Sequence, residues 1–340
     1  MGQQGEMATE FLAEKDVSPE LASALMRLAP ANPFYTQSYA EAMREDGRQP
    51  WLLGIKRRGQ LVAGCYGLVF SGRLNRGLQI SSVPDVPCDD DFWDGLLRFC
   101  SLQRITCLEL QSFASSATHI PLLPGEVERQ ERCEYVLDLG DREWERKVAQ
   151  KHRYSIRRAL QAGVTMRRAA GADACHEHVQ LRLASMERRH KRGELTSDEV
   201  EMGFSTALLL TEKGAGELFQ AVAGGKELSS ALVLKAAEGT YLESAGTSPE
   251  GMKCGASHFL IYSIMRVLRE ESIWVFNLGG AELDPGLSLF KSRFGATPVA
   301  LESASFYLGS DFRRKLTDAA RFLRQRGTSL LRRIGAVSDL

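Results

Sequence analysis

The segment Phe290-Lys291-Ser292-Arg293-Phe294-Gly295 sets two cations between aromatic residues four apart. It ends on a glycine that permits an abrupt turn. It follows Asn277-Leu278-Gly279-Gly280, the close of an apolar run that reads as a buried strand. Ligands in folds with parallel strands collect at strand ends and in the loops that follow them. A cation fixed there by aromatic packing could stabilise an oxyanion. The same spacing fits a surface Lys291 and Arg293 beside two core phenylalanines, so spacing alone leaves both readings open.

A second cluster is Lys151-His152-Arg153-Tyr154-Ser155-Ile156-Arg157-Arg158. Arg153 and Arg157 stand at i and i+4 on one helical face, with Arg146 two turns back. From Arg142 to Arg168 there are nine Lys and Arg against two Glu. Guanidinium pairs of this kind suit phosphate. A solvated basic face is the alternative, weakened by the lack of acids at i+4. The stretch Asp311 to Arg333 holds eight Lys and Arg against two Asp and reads as an amphipathic helix. It could contact RNA phosphates or an anionic membrane surface, or simply dock with its charged face outward. Gly327 would break it.

Other candidates carry less. Cys175-His176-Glu177-His178 looks like a metal cluster. However, His176 and His178 are two apart and diverge on a helix, and no CxxC or second HxH completes four ligands. No metal is expected. Gly251-Met252-Lys253-Cys254-Gly255-Ala256 precedes a helix and could offer amide N–H groups to a pyrophosphate. Neither GxSxG, HExxH nor a Walker sequence is present.

The elements that must position these residues repeat. In the first half, strands are expected at 51–55, 61–70, 77–83 and 105–110. A helix between the last two carries Trp93, Leu96, Leu97 and Cys100 on one face. After residue 216 the order recurs: strands at 218–223, 228–235, 240–245 and 273–278, with Ile261, Ile264, Met265 and Leu268 as the helical stripe. The offset stays between 162 and 168 residues, although identity between the halves is negligible. The pattern predicts a duplicated α+β domain. Between the halves three helices are expected: 142–161, 172–191, and one opening at the capping box Thr196 to Glu199.

Composition bounds the function. The chain has 340 residues, enough for two domains, and is 44% apolar and 25% charged, a globular balance. Lys and Arg equal Asp and Glu at 43 each, so bulk charge implies no partner. Seven scattered cysteines fit reduced thiols. No stretch has the length of a membrane span, and residues 1–10 lack the pattern of a secretory signal. A cytoplasmic protein without an integral membrane segment is expected.

The stretch "KHRYSIRRALQAGVTMRR" resembles the linker helix of the Fem-type peptidyl aminoacyltransferases. The stretch "GASHFLIYSIMRVLREESIWVFNLGG", followed by "FKSRFG", resembles that family's second domain, and the opening "PFYTQSYAEAM" is similar to its first. The resemblance runs from about Asn32 to Val299. It implies two tandem GNAT-like acyltransferase domains with a central cleft. These are residues 1–140, and 141–310 beginning at the basic linker helix, with 311–340 packing back on the first. It implies amide-bond formation on an amine acceptor, with aminoacyl-tRNA donating to a peptidoglycan-precursor-like or small-molecule amine. No tightly bound cofactor is implied.

By this resemblance Lys291 steadies the acyl carbonyl, while Arg153, Arg157 and Arg158 meet phosphates. Tyr241, Asn277, Phe290 and Arg293 would line the substrate site. Where the family often carries an acid after the last strand of its first domain, this chain has Gln111. Glu109 or Glu243 could take the acid–base part, and the sequence does not choose. Two alternatives stay open: an acyl-CoA-dependent N-acetyltransferase using the Gly251 turn, and a catalytically inactive GNAT-like module that binds RNA or a protein partner.

Overall fold

The computed structural model describes residues 9–72, 75–88, 90–191, 203–281 and 284–309. In chain order the elements are β1 (Thr9–Glu14), α1 (Pro19–Leu28), a 3-10 turn (Pro33–Tyr35), α2 (Gln37–Glu45), β2 (Gln49–Arg57), β3 (Gln60–Ser71), β4 (Arg76–Ile80), α3 (Asp91–Leu102), β5 (Cys107–Gln111) and β6 (Glu126–Asp138). There follow α4 (Trp144–Lys147), α5 (Gln150–Gln161), β7 (Thr165–Ala169), α6 (Ala172–Lys191), α7 (Phe204–Glu212), β8 (Gly216–Ala223), β9 (Lys226–Lys235), β10 (Gly239–Thr247), α8 (Pro249–Cys254), α9 (Ala256–Glu270), β11 (Val275–Gly280), α10 (Pro285–Ser292) and β12 (Thr297–Tyr307).

All twelve strands join one sheet, ordered β1-β2-β3-β4-β5-β12-β6-β11-β10-β9-β8-β7. Read inward from either edge, five consecutive strands lead to the centre, where β12 and β6 pair antiparallel over residues 297–306 and 126–136. The strand that follows β5 in the chain therefore lies against β11, and the one that follows β11 lies against β5. The innermost pair is exchanged between the halves, and a chain boundary at 140 falls just after β6. The only parallel pairings among the described residues are β4 with β5 and β10 with β11.

Each half buries its own core. Leu52, Leu53, Phe92, Leu96 and Leu108 anchor one, and Phe219, Ile264, Met265 and Phe276 the other. The helical stripes form as their spacing predicts: α3 buries Trp93, Leu96 and Cys100, and α9 buries Ile261, Ile264, Met265 and Leu268. A third cluster spans the halves, joining Tyr39, Met43 and Leu68 to Ala174, Leu218 and Leu232. None of the seven cysteines is joined in a disulfide.

Two helical expectations change. The helix expected over 142–161 is broken into α4 and α5, because Val148 turns extended and the Ala149 N–H donates to Arg293 O at 2.8 Å. Arg153 caps the carbonyls at the end of α4: Nε donates to Val148 O at 2.8 Å, and Nη2 to Arg146 O at 2.8 Å and to Glu145 O, which also accepts the Val148 N–H, at 3.1 Å. The capping box at Thr196 to Glu199 and the helix at 311–333 lie outside the described residues.

Candidate active site

The parallel pair β10/β11 holds for three residues only, Gly239↔Val275, Thr240↔Phe276 and Tyr241↔Asn277, and then parts. Each strand is irregular just beyond. The register of β10 against β9 slips between Leu242 and Ser244, which makes Glu243 the extra residue of a bulge. The register of β11 against β6 slips between Asn277 and Gly280. Bulges end pairing and re-aim side chains, and recur beside active sites. Gly279 makes the second irregularity feasible: its φ is +72°, and a Cβ there would stand 3.3 Å from Leu242 O.

Side chains from three strands meet at this opening. Asn277 is buried; its Nδ2 donates to Glu134 Oε2 at 2.7 Å and its Oδ1 accepts the Gly279 N–H at 2.8 Å. Glu134 on β6 is 1% exposed and pairs with Arg132, whose Nη2 lies 3.1 Å from Oε1. Tyr241 packs tilted against Phe34 and edge-on to Phe113, with ring centres 5.5 and 5.6 Å away, so the first half supplies an aromatic wall beside this strand.

Lys291 enters from α10 and is 5% exposed. A buried ammonium requires polar partners. Its Nζ donates to Gly280 O at 2.5 Å, and Gly280 is the residue paired with Glu134 across β11 and β6. The helix that carries it is fixed at its start by Asp284, whose Oδ1 caps the Leu287 N–H at 2.9 Å and whose Oδ2 pairs with Arg189. Ser288 Oγ donates to Ala281 O at 3.0 Å. A cation at the Gly280 carbonyl, with the buried Glu134 across the strand pair and Asn277 three residues back on β11, can polarise an acyl carbonyl bound in the opening.

The arginines gather elsewhere. Arg153 and Arg157 line a cleft of about 600 Å³ with Arg146, Arg266, Ile156 and Tyr262. Arg146 pairs with Glu143, and Tyr262 donates to Glu145 Oε1 at 3.1 Å. Burial, together with Glu145, raises the Tyr262 phenol above its ordinary range. Arg157 is exposed, with Nε on Arg153 O at 3.4 Å. Arg158 is exposed and lies outside the cleft. Burial, with His152 and then Arg158 adding to it, pushes His258 down to about 4.

The structure therefore sets Tyr241, Glu243 and Asn277 on β10 and β11 where those strands part, with Lys291 on the Gly280 carbonyl at the end of β11, and puts Arg153 and Arg157 in a separate cleft. Phe290 and Arg293 flank Lys291 on α10, where Phe290 packs 5.1 Å from Phe294 and the Arg293 carbonyl anchors α5. Glu109 is exposed on β5 opposite Ser305, whereas Glu134 lies opposite Val299. Six residues of β12 separate those positions, roughly 20 Å at strand spacing. The sequence reading missed Glu134, Arg132, Phe34 and Phe113. In "ERQERCEYVLD" a buried Glu is indistinguishable from a surface one, and the only local signal is that Arg132 and Glu134, two apart, share a strand face.

The Gly251 turn is also unlike its expectation. Residues 249–254 are helical; the Gly251 N–H goes to Ser248 Oγ and the Gly255 N–H to Gly251 O. Gly255, at φ +87°, lies under α5 so closely that a Cβ would stand 2.6 Å from Ser155 O. Ala256, which opens α9, is fully buried.

Residues 146–291 match the acetyltransferase (GNAT) domain family. The match begins in α4 and ends at Lys291, so the likeness to GNAT acyltransferases lies in this part of the chain. No curated protein matches the chain. Its fold is similar to that of FemX, at 15% identity with a TM-score of 0.67, covering 91% of this chain and 99% of that one. It is also similar to a tandem GNAT protein from the clavulanic acid biosynthesis pathway (12%, 0.57, 89% and 100%). L-PGS from Bacillus licheniformis is a third (13%, 0.54, 88% and 95%). The fold is GNAT-like and mixed α/β, and the class is acyltransferase. Among the described residues no helix is long and apolar enough to cross a membrane.

Proposed function

We propose that the chain transfers an aminoacyl group from aminoacyl-tRNA to an amine acceptor, a peptidoglycan-precursor-like or small-molecule amine. Residues 1–140 and 141–310 then act as two GNAT units that exchange their innermost strands. The observation that carries the reading is Lys291, buried where β10 and β11 part, with Nζ at the Gly280 carbonyl beside Asn277 and Glu134. The neutral amine attacks the ester carbonyl of the donor. Negative charge gathers on the carbonyl oxygen, which Lys291 stabilises. The C–O bond to the ribose breaks, leaving the tRNA hydroxyl, and the amine proton passes to solvent or a carboxylate of the opening. Holding both reactants between the halves supplies much of the remainder, since aminolysis of an activated ester needs chiefly orientation.

The choice of donor rests on the helix starts. A pyrophosphate is best received by the free amides of a helix N-terminus. In the second half α5 covers the α8–α9 junction. In the first half α3 opens with Asp90 as its cap and Asp91 and Asp94 in its first turn, charges that oppose an anion. Neither suits a coenzyme A pyrophosphate, whereas the Arg157 cleft suits a phosphodiester chain. Binding of acetyl-CoA and of charged tRNA, each across a salt series, tests this. Charged tRNA is expected to bind with a steep salt slope that shrinks in Arg157→Gln/Arg266→Gln. Tight, salt-insensitive binding of acetyl-CoA with none of tRNA would overturn it.

A further inference from the structure

We infer that His152 is a positioning residue for Lys291: from α5 it caps the last turn of α10 and so fixes the helix that carries the lysine. The inference rests on the reading of Lys291 as the oxyanion-stabilising cation, but its geometry stands independently.

Helix α10 has eight residues, too few to hold its shape without tertiary anchors. Asp284 anchors its start. At its end the backbone cannot satisfy every carbonyl. Leu289 O accepts from the Arg293 N–H, Lys291 O from the Phe294 N–H, and Ser292 O from the Gly295 N–H. The carbonyl next to Lys291, Phe290 O, lies 2.9 Å from His152 Nε2, a side chain 138 residues earlier in the chain.

His152 is placed to be rigid. It is 2% exposed, and its ring packs 4.5 Å from Phe294, 5.3 Å from Phe290 and edge-on to His258 at 4.5 Å. A second bond ties the same elements, from the Ala149 N–H to Arg293 O at 2.8 Å. Burial lowers the imidazole from its ordinary value, the bond to Phe290 opposing it and Arg293 and Lys151 adding to it, so above neutral pH the ring is uncharged. A neutral ring carries one N–H. The Phe290 carbonyl requires it at Nε2, which leaves Nδ1 bare, and Nδ1 is indeed buried with no hydrogen-bond partner. A ring present only to fill space would not need a tautomer that strands one nitrogen. The next residue, Arg153, lines the cationic cleft, so α5 touches both the cleft and the mount of Lys291.

The test reads Lys291 itself. Native protein is trace-labelled with acetic anhydride, and the acetylation rate of each lysine is measured by peptide mass spectrometry, with Lys147, Lys213 and Lys235 as internal references. His152→Phe keeps the ring volume and loses the donor; His152→Gln keeps a donor. Lys291 is expected to label roughly tenfold faster in His152→Phe with the references unchanged, the effect of one lost hydrogen bond, and to return toward the wild-type rate in His152→Gln. Unchanged labelling of Lys291 in a folded His152→Phe overturns the inference. If that variant does not fold, ring nitrogen NMR of the wild-type protein decides: the Nε2–H tautomer supports the inference and the Nδ1–H tautomer overturns it. Should Lys291→Met retain transfer activity, the proposed function fails while the labelling result keeps its meaning.

Discussion

Acidification should destabilise the fold through a histidine that the acyl-transfer chemistry does not use. His178 on α6 is fully buried between two serines, with Nδ1 2.9 Å from Ser230 Oγ and Nε2 2.9 Å from Ser244 Oγ. Ser244 follows the Glu243 bulge, so His178 clamps α6 to the strand that forms one wall of the opening. Burial, with Arg182 adding to it, pushes the ring down to about 3. In the unfolded chain the ring titrates near its ordinary value of about 6.5. The folded pKa is the lower one, so neutral His178 stabilises the protein above pH 6.5, and that contribution is lost as pH falls toward 3. At about pH 5 the unfolded ring is almost fully protonated and the folded one is not, a loss of about 2 kcal/mol. Urea denaturation at about pH 7.5 and pH 5 measures it in wild type and in His178→Asn. The variant should be less stable at the higher pH and should lose about 2 kcal/mol less on acidification. Equal losses in both proteins, or a folded-state titration of His178 near 6.5 by NMR, would show that His178 does not carry the acid sensitivity.

Three further outcomes follow from the same geometry. Lys291→Met should lower transfer by roughly 10²- to 10³-fold, read as kcat in a radiolabelled transfer assay. It should leave the thermal midpoint nearly unchanged or raised, because a desolvated ammonium is removed. Gly255→Ala should destabilise by about 2–3 kcal/mol in urea denaturation, since the residue is left-handed and its Cβ would press on Ser155 O. Arg157→Gln/Arg266→Gln should weaken tRNA binding and reduce the slope of log affinity against log salt by about 1 to 2, with no loss of fold by circular dichroism.

The repeated half was legible because its signals are local. The strand-forming runs over 61–70 and 228–235 and the stripes on α3 and α9 recur at a near-constant offset, and each becomes the expected element. The exchange of β6 and β12 was not, because pairing partners far apart in sequence leave no periodic trace. In β6, "EVERQERCEYVLD" reads as solvated charge until it is seen between two strands. The same holds for the site. Lys291 was found because aromatic flanks and a following glycine are local features. Glu134 was missed because its burial is set by β11 and β12, both more than 130 residues away. Arg153 looked free for phosphate because a sequence cannot show that α4 stops after four residues and needs its carbonyls capped.

A paired transfer assay tests most directly whether Lys291 supports aminoacyl transfer. Purified protein is given tRNA charged with radiolabelled amino acids or, separately, radiolabelled acetyl-CoA, each with a panel of amine acceptors, alongside Lys291→Met. Label is expected to move from tRNA into an amide product with the wild-type protein, and to fall to background with Lys291→Met. Transfer from acetyl-CoA alone, or transfer from tRNA at the wild-type rate by Lys291→Met, would contradict that expectation.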